Sequence, residues 1–216
     1  MKRVLVLLTV AFALFSANVF GALNWDYGWE DGTGTVLGIY GNAIVSNSTE
    51  QAYEGTRSLK FIENPLGGTP QAYVWWVTGL NDGDGIVAQF YVYDTTPSAS
   101  PSGRIWGHYT DSATNVADYS GSAGGNNTYS DGNGWTNLQH SWIFDSKAGT
   151  NKGFVVEARI YSDTVDQFIY IDTASITVSN NSALIYNAAG DVLPEPMFGL
   201  ILLPFLALLR RNRNVR

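Results

Sequence analysis

Hydrophobic and polar positions alternate with a period of two along most of this chain. In 86–94, Ile86, Ala88, Phe90 and Val92 fall on one side, and Val87, Gln89, Tyr91 and Tyr93 on the other. In 154–161, Phe154, Val156, Ala158 and Ile160 alternate with Val155, Glu157, Arg159 and Tyr161. In 104–109, Arg104, Trp106 and His108 share a side. Side chains of a strand point to opposite faces in turn, so these runs predict strands with one face toward a core. The pattern predicts strands at 36–40, 43–45, 57–63, 72–78, 86–94, 104–109, 117–121, 136–144, 154–161 and 167–178. Turn residues separate them, among them Gly41-Asn42, Asn64-Pro65, 81–85 and 97–101. The glycine-rich stretch 110–134 reads as a hairpin turning at Gly124-Gly125-Asn126-Asn127. No sustained 3.6-residue period occurs in this span, so the fold expected is an all-β sandwich or jelly roll.

If 71–77 is an unbulged strand, Trp76 shares its side with Ala72 and Val74, and Trp75 shares the other with Gln71 and Tyr73. The sides turned from the core then carry Tyr73, Trp75, Gln89, Tyr91, Tyr93, Trp106, Glu157 and Arg159, with Arg104, His108 and Tyr161. Flat aromatic rings beside planar hydrogen-bonding groups suit a sugar, whose ring has apolar C–H faces and hydroxyl edges. The same residues equally suit a strand face covered by loops, since aromatics are favoured in strands generally.

The two ends have a different texture. Met1-Lys2-Arg3, an apolar run from 4 to 15 and small residues at Val19 and Gly21 form a secretory leader, with cleavage expected after Gly21. The run is shorter than the roughly 20 residues of a membrane span. Residues 179–193 read as a linker. Then come Pro194-Glu195-Pro196, an apolar run from 197 to 209 containing Pro204, and Arg210, Arg211, Arg213 and Arg216. The arginines favour the cytoplasmic side of a membrane, so the tail makes at least transient membrane contact. The expected organisation is a leader helix (1–21), a β domain (22–178), a linker (179–193) and a short apolar helix in a sorting tail (194–216).

Charge and cysteine content narrow the chemistry. The chain has 12 Lys+Arg and 19 Asp+Glu; the ends hold six of the former and one of the latter, so 22–193 carries a net charge of −12. Such a surface repels nucleic acid and anionic lipid. With no cysteine and two histidines, disulfides, thiolate metal sites and three-histidine zinc sites are excluded. Gly-x-Ser-x-Gly, His-Glu-x-x-His and phosphate-loop patterns do not occur. A glycoside hydrolase needs two carboxylates facing each other across a cleft, and only Glu157 lies mid-strand among aromatics. No catalytic residue is expected.

Two parts of the chain resemble known families. The order Pro194-Glu195-Pro196, apolar run, arginine cluster resembles the PEP-CTERM sorting signal. That resemblance implies processing by signal peptidase and an exosortase, an inner-membrane intermediate, and delivery to the cell surface or extracellular polymer of a Gram-negative-type bacterium. Trp29-Glu30-Asp31-Gly32, then 53–60 with its Gly55-Thr56-Arg57-Ser58-Leu59 core, then Tyr170-Ile171-Asp172-Thr173-Ala174-Ser175-Ile176 resemble, in that order, three motifs of family 4/9-type carbohydrate-binding modules. This implies a calcium-containing β-jelly roll. Glu30 and Asp172 would supply carboxylates to a structural Ca²⁺, with backbone carbonyls around 54–57; Thr173 replaces the usual second acid. The expected function is non-catalytic binding of a polysaccharide. A structural matrix protein without a discrete ligand, and a glycoside hydrolase or polysaccharide lyase, are the alternatives.

Overall fold

The computed structural model describes residues 22–193, so the expected leader and the sorting tail, Pro194, Glu195 and Pro196 included, lie outside the described residues. Twelve strands form: β1 (Leu23–Tyr27), β2 (Ile39–Tyr40), β3 (Ala43–Ser48), β4 (Ser58–Glu63), β5 (Gln71–Thr78), β6 (Gly85–Asp94), β7 (Ser102–Thr110), β8 (Tyr119–Gly125), β9 (Gly134–Ile143), β10 (Gly153–Tyr161), β11 (Phe168–Val178) and β12 (Leu184–Tyr186). Among the described residues no helix forms, and none is long and apolar enough to cross a membrane. The fold is the expected all-β sandwich. Sheet I runs β3-β4-β11-β6-β9, with β1 also on β11; sheet II runs β12-β5-β10-β7-β8, with β2 also on β5. Every pairing is antiparallel.

The alternation reads through to the core. Ile86, Ala88, Phe90 and Val92 of β6 are buried against Phe154, Val156, Ala158 and Ile160 of β10 and their neighbours. Burying side chains of this size contributes roughly 1.5–3 kcal/mol each, the main drive for closing two sheets over one another. Gly107 of β7 leaves room for two rings: a Cβ there would lie 2.5 Å from Phe154 of the neighbouring strand β10 and 3.2 Å from Trp142 of the opposite sheet.

Bulges in β5 and β11 change the parity along those strands. On β10, Val156 faces Trp75 and Glu157 faces Tyr73, so Val74 is the extra residue in β5. From that point Trp75 and Val77 turn into the core, and Trp76 turns outward with Tyr73. This overturns the expectation for Trp75: it is fully buried between the sheets and cannot face a ligand. On β11, Asp172 faces Tyr91 of β6 and Ser175 faces Gln89, with Thr173 at φ 47° in the extra step. Ile169 and Ile171 point inward before it, and Ala174, Ile176 and Val178 after it. An extra residue in one strand shifts every later side chain to the other face, which is why a strict period of two misplaces the residues beyond a bulge.

Two further expectations are corrected, and one strand is added. Residues 179–193 are not a linker: β12 pairs with β5, and Ala183, Ile185 and Ala188 are buried in the core. Gly124-Gly125 is not the turn of a hairpin. It lies at the end of β8, which pairs with β7 across the connection 111–118. Leu23–Tyr27, beside the expected cleavage point, is a strand of sheet I. We expect Ile185→Ala to cost roughly 2–5 kcal/mol, as for a fully buried aliphatic side chain. Urea unfolding measures it; a cost below about 0.5 kcal/mol, typical of exposed positions, would return this segment to a linker.

Candidate functional site

The outer face of sheet II is a grid of nine side chains, fixed by the registers of β5, β10 and β7. Its first row is Trp76, Val155, His108; its second is Tyr73, Glu157, Trp106; its third is Gln71, Arg159, Arg104. The β5 bulge sets the three-residue step from Tyr73 to Trp76 that puts both on this face. Glu157 occupies the centre and is 1% exposed. One of its oxygens bonds His108 Nδ1, and the other accepts from Arg159 Nε at 2.7 Å. Tyr73 and Tyr119 flank the His108 ring at 4.9 and 5.4 Å between centroids. The Arg159 and Arg104 guanidiniums lie 4.6 and 4.3 Å from the Trp106 ring centre, within cation–π range. Trp106 Nε1 donates to Ser122 Oγ at 2.8 Å, which fixes the indole.

Above this grid lies a cleft of about 530 Å³, lined by Tyr40, Thr69, Gln71, Tyr73, Trp106, Ala117, Tyr119, Ser122 and Arg159. The size falls within the range of small-ligand pockets. The segment before β2 closes it against Tyr73. Leu37 N–H donates to the Tyr73 carbonyl at 3.0 Å, and Tyr73 N–H donates to the Gly38 carbonyl at 2.9 Å. Gly38 is required there, since a Cβ would come within 2.6 Å of the Tyr73 ring. Burial, and then the charge of Glu157, push the Tyr73 phenol up to about 12, so it stays a hydrogen-bond donor. The cleft thus offers aromatic surface, a guanidinium, an amide and hydroxyls.

Of the expected sugar-binding residues, the structure brings Tyr73, Trp106, Glu157 and Arg159 together. Glu157 lies beneath the cleft as a support and does not line it. Gln89, Tyr91 and Tyr93 are elsewhere: β6 belongs to sheet I, so they lie on the opposite side of the sandwich. There Tyr91 stacks on Tyr53 at 3.6 Å, Tyr93 packs near Trp135 and Tyr170, and Gln89 Oε1 accepts from Asn137. Sequence reasoning passed over Tyr40 and Tyr119 as site residues. Their signal was weak, a tyrosine just before Gly41-Asn42 and another just before Ser120-Gly121-Ser122.

Glu30 and Asp172 meet at one end of the sandwich. Along one side of β11, β4 pairs up to Ile171 and β1 begins at Ala174, leaving Asp172 and Thr173 between them. Asp172 Oδ2 accepts from Tyr53 N and Glu54 N at 2.7 and 3.1 Å, and Oδ1 from Thr173 N at 2.7 Å. Glu30 Oε1 accepts from Thr56 N and Arg57 N at 3.0 and 2.8 Å. The two carboxylates therefore pin the loop 49–57 to the sheet edge. With Asp26 and Glu54 they line a cleft of about 280 Å³. Among the described residues no three His, Cys, Asp or Glu side chains cluster to hold a metal, so any cation here would need carbonyl oxygens too. Burial, and to a lesser degree the charge of Glu30, raise the Asp172 carboxyl, against the lowering effect of its three N–H donors.

Removing one partner of a buried charge pair strands the others. We expect Glu157→Ala to cost roughly 3–5 kcal/mol in urea unfolding, because it leaves His108 and Arg159 without their acceptor. A loss under about 1 kcal/mol, no more than an exposed ion pair contributes, would show that the carboxylate does not hold this face together.

No protein-family model and no curated protein matches the sequence. The fold does match solved structures. The family 22 carbohydrate-binding module CBM22-2 from Paenibacillus barcinonensis Xyn10C, described as a xylan-binding domain, superposes with a TM-score of 0.52 at 17% identity, covering 71% of this chain and 98% of that one. A second xylan-binding domain of family 22 gives 0.51 at 19% identity, covering 74% and 96%. The CBM22-1 domain of the same Paenibacillus protein gives 0.50 at 17% identity, covering 72% and 94%. The described domain therefore has the β-sandwich fold that these carbohydrate-binding modules share.

Proposed function

We propose that this chain is an exported, non-catalytic protein that binds a polysaccharide in the cleft of sheet II. The observation that carries the reading is the convergence of Tyr73, Trp106, Tyr119 and Tyr40 with Gln71 and Arg159 around one open cleft. Rings of this kind stack on the C–H faces of a sugar, while guanidinium, amide and phenol groups bond its hydroxyls. The xylan-binding description of domains with the same fold supports a polysaccharide ligand. Both oxygens of Glu157 are engaged below the cleft, which supports binding over hydrolysis. The leader at 1–21 supports export through signal peptidase. Pro194-Glu195-Pro196 with its apolar and arginine-rich sequel supports exosortase processing and residence at the cell surface or in extracellular polymer.

The test is affinity electrophoresis of the chain on a panel of neutral and acidic polysaccharides. One of them should retard it, and Trp106→Ala should weaken that binding roughly tenfold or more, as for a central aromatic anchor. Tyr91→Ala, on the opposite sheet, should leave it unchanged. If nothing on the panel retards the chain, a matrix protein without a discrete ligand becomes the better reading.

A structural Ca²⁺ held by Glu30, Asp172 and nearby carbonyls belongs to the same proposal. Glu30 and Asp172 at one small cleft, and the raised carboxyl of Asp172, are what a cation would relieve. A ligand of the native state alone raises the unfolding midpoint. Millimolar CaCl₂ should therefore raise the Tm of the chain over its value in EDTA, and Glu30→Gln should abolish the difference. Equal midpoints in wild type would remove calcium from the reading.

A further inference from the structure

Arg104 touches one wall residue of each of two openings on sheet II, Trp106 of the one and Tyr129 of the other, and lines neither itself. The first is the cleft walled by Trp106 and Arg159. The second is a hollow of about 520 Å³, lined by Tyr129, Tyr161, Asp163 and the turn from Ser98 to Ser102. The guanidinium stacks over Trp106 at 4.3 Å and over Tyr129 at 5.1 Å. Its Nε donates to the Asn126 carbonyl, one terminal nitrogen to Asn127 Oδ1, and the other to the Tyr129 hydroxyl at 3.3 Å. All three acceptors are neutral. A guanidinium has five N–H groups, so two have no acceptor among the described residues.

Arg159 is matched by Glu157, whereas Arg104 forms no ion pair among the described residues. A half-buried cation without a counter-charge is thus held against one wall residue of each opening, in a domain of net charge −12. Of the residues lining the two openings, Asp163 alone is a carboxylate. Three bonds and a stacked ring already fix the Arg104 fork, so little freedom remains to be lost when it takes a ligand. Planar anions match that fork.

We propose that Arg104 reads a carboxylate, so that the ligand is a polysaccharide bearing uronic acid residues. The proposal rests on the carbohydrate reading of the cleft and names the class of sugar. The acidic surface repels a dense polyanion at long range. Uronates spaced along a neutral backbone therefore fit better than a polyuronate, because only the short-range contact at Arg104 then counts.

The probes are a glucuronic-acid-substituted xylan, the same polymer after carboxyl reduction, and polygalacturonate, each measured by calorimetry with the whole chain. The substituted polymer should bind roughly tenfold tighter than its reduced form, the scale of one charge-assisted contact. Polygalacturonate should bind more weakly than the substituted polymer. Arg104→Gln should erase the preference, so that the variant binds the substituted and the reduced polymer alike, and Lys147→Gln, outside both openings, should keep it. Should Arg104→Gln fail to fold, the wild-type comparison of native and reduced polymer decides alone. Equal affinity for those two overturns the uronate proposal and leaves the carbohydrate reading standing; binding to none of the three also overturns the uronate proposal, and the polysaccharide panel then decides the carbohydrate reading.

Discussion

Glu157 has lost almost all contact with water, and a carboxylate so placed must find its solvation within the protein. It does so through His108 on one oxygen and Arg159 on the other. Those two bonds orient the two side chains nearest the centre of the grid, whose positions the strand registers fix. His108 is held upright between Tyr73 and Tyr119, and Arg159 is laid against Trp106. A neutral residue at the centre would leave a ring and a guanidinium free to choose other rotamers. The buried charge thus contributes order to the cleft more than net stability, in keeping with the modest balance of most buried ion pairs.

The bulges are the second constraint. One extra residue in β5 moves Trp75 into the core and gives its outward place to Trp76, which packs with Tyr73 and Val155. One extra residue in β11 aims Asp172 at the amides of Tyr53 and Glu54, in the gap where β4 ends and β1 begins. In both strands the irregularity lies at a position that organises a loop, as bulges commonly do.

These constraints explain what the sequence shows and what it hides. Strands β6, β7 and β10 were legible because each alternates cleanly between large apolar and polar residues over most of its length. Trp75 and Trp76 were not assignable, because two adjacent tryptophans carry no difference in hydropathy to mark where parity changes. Strand β12 was missed because three residues, Leu184-Ile185-Tyr186, are too few to show a period. The site itself was half legible. Residue types on the outward faces were readable, but Tyr91 and Trp106 look alike until pairing assigns β6 to one sheet and β7 to the other. That assignment depends on contacts distant in sequence, which alternation does not encode.

Strand β12 is also a mechanical element. It holds to the edge of β5 by three cross-strand pairs, and Leu193 N–H bonds back to the Ile185 carbonyl at 2.9 Å. Load applied at residue 193 reaches this short edge strand before it reaches any long one. The first ring it would lift is Tyr186, which covers Trp76 at 4.8 Å, and Trp76 shares its apolar cluster with Tyr73 in the wall of the cleft. Tension at that end of the domain and the shape of the cleft are therefore joined through two aromatic contacts.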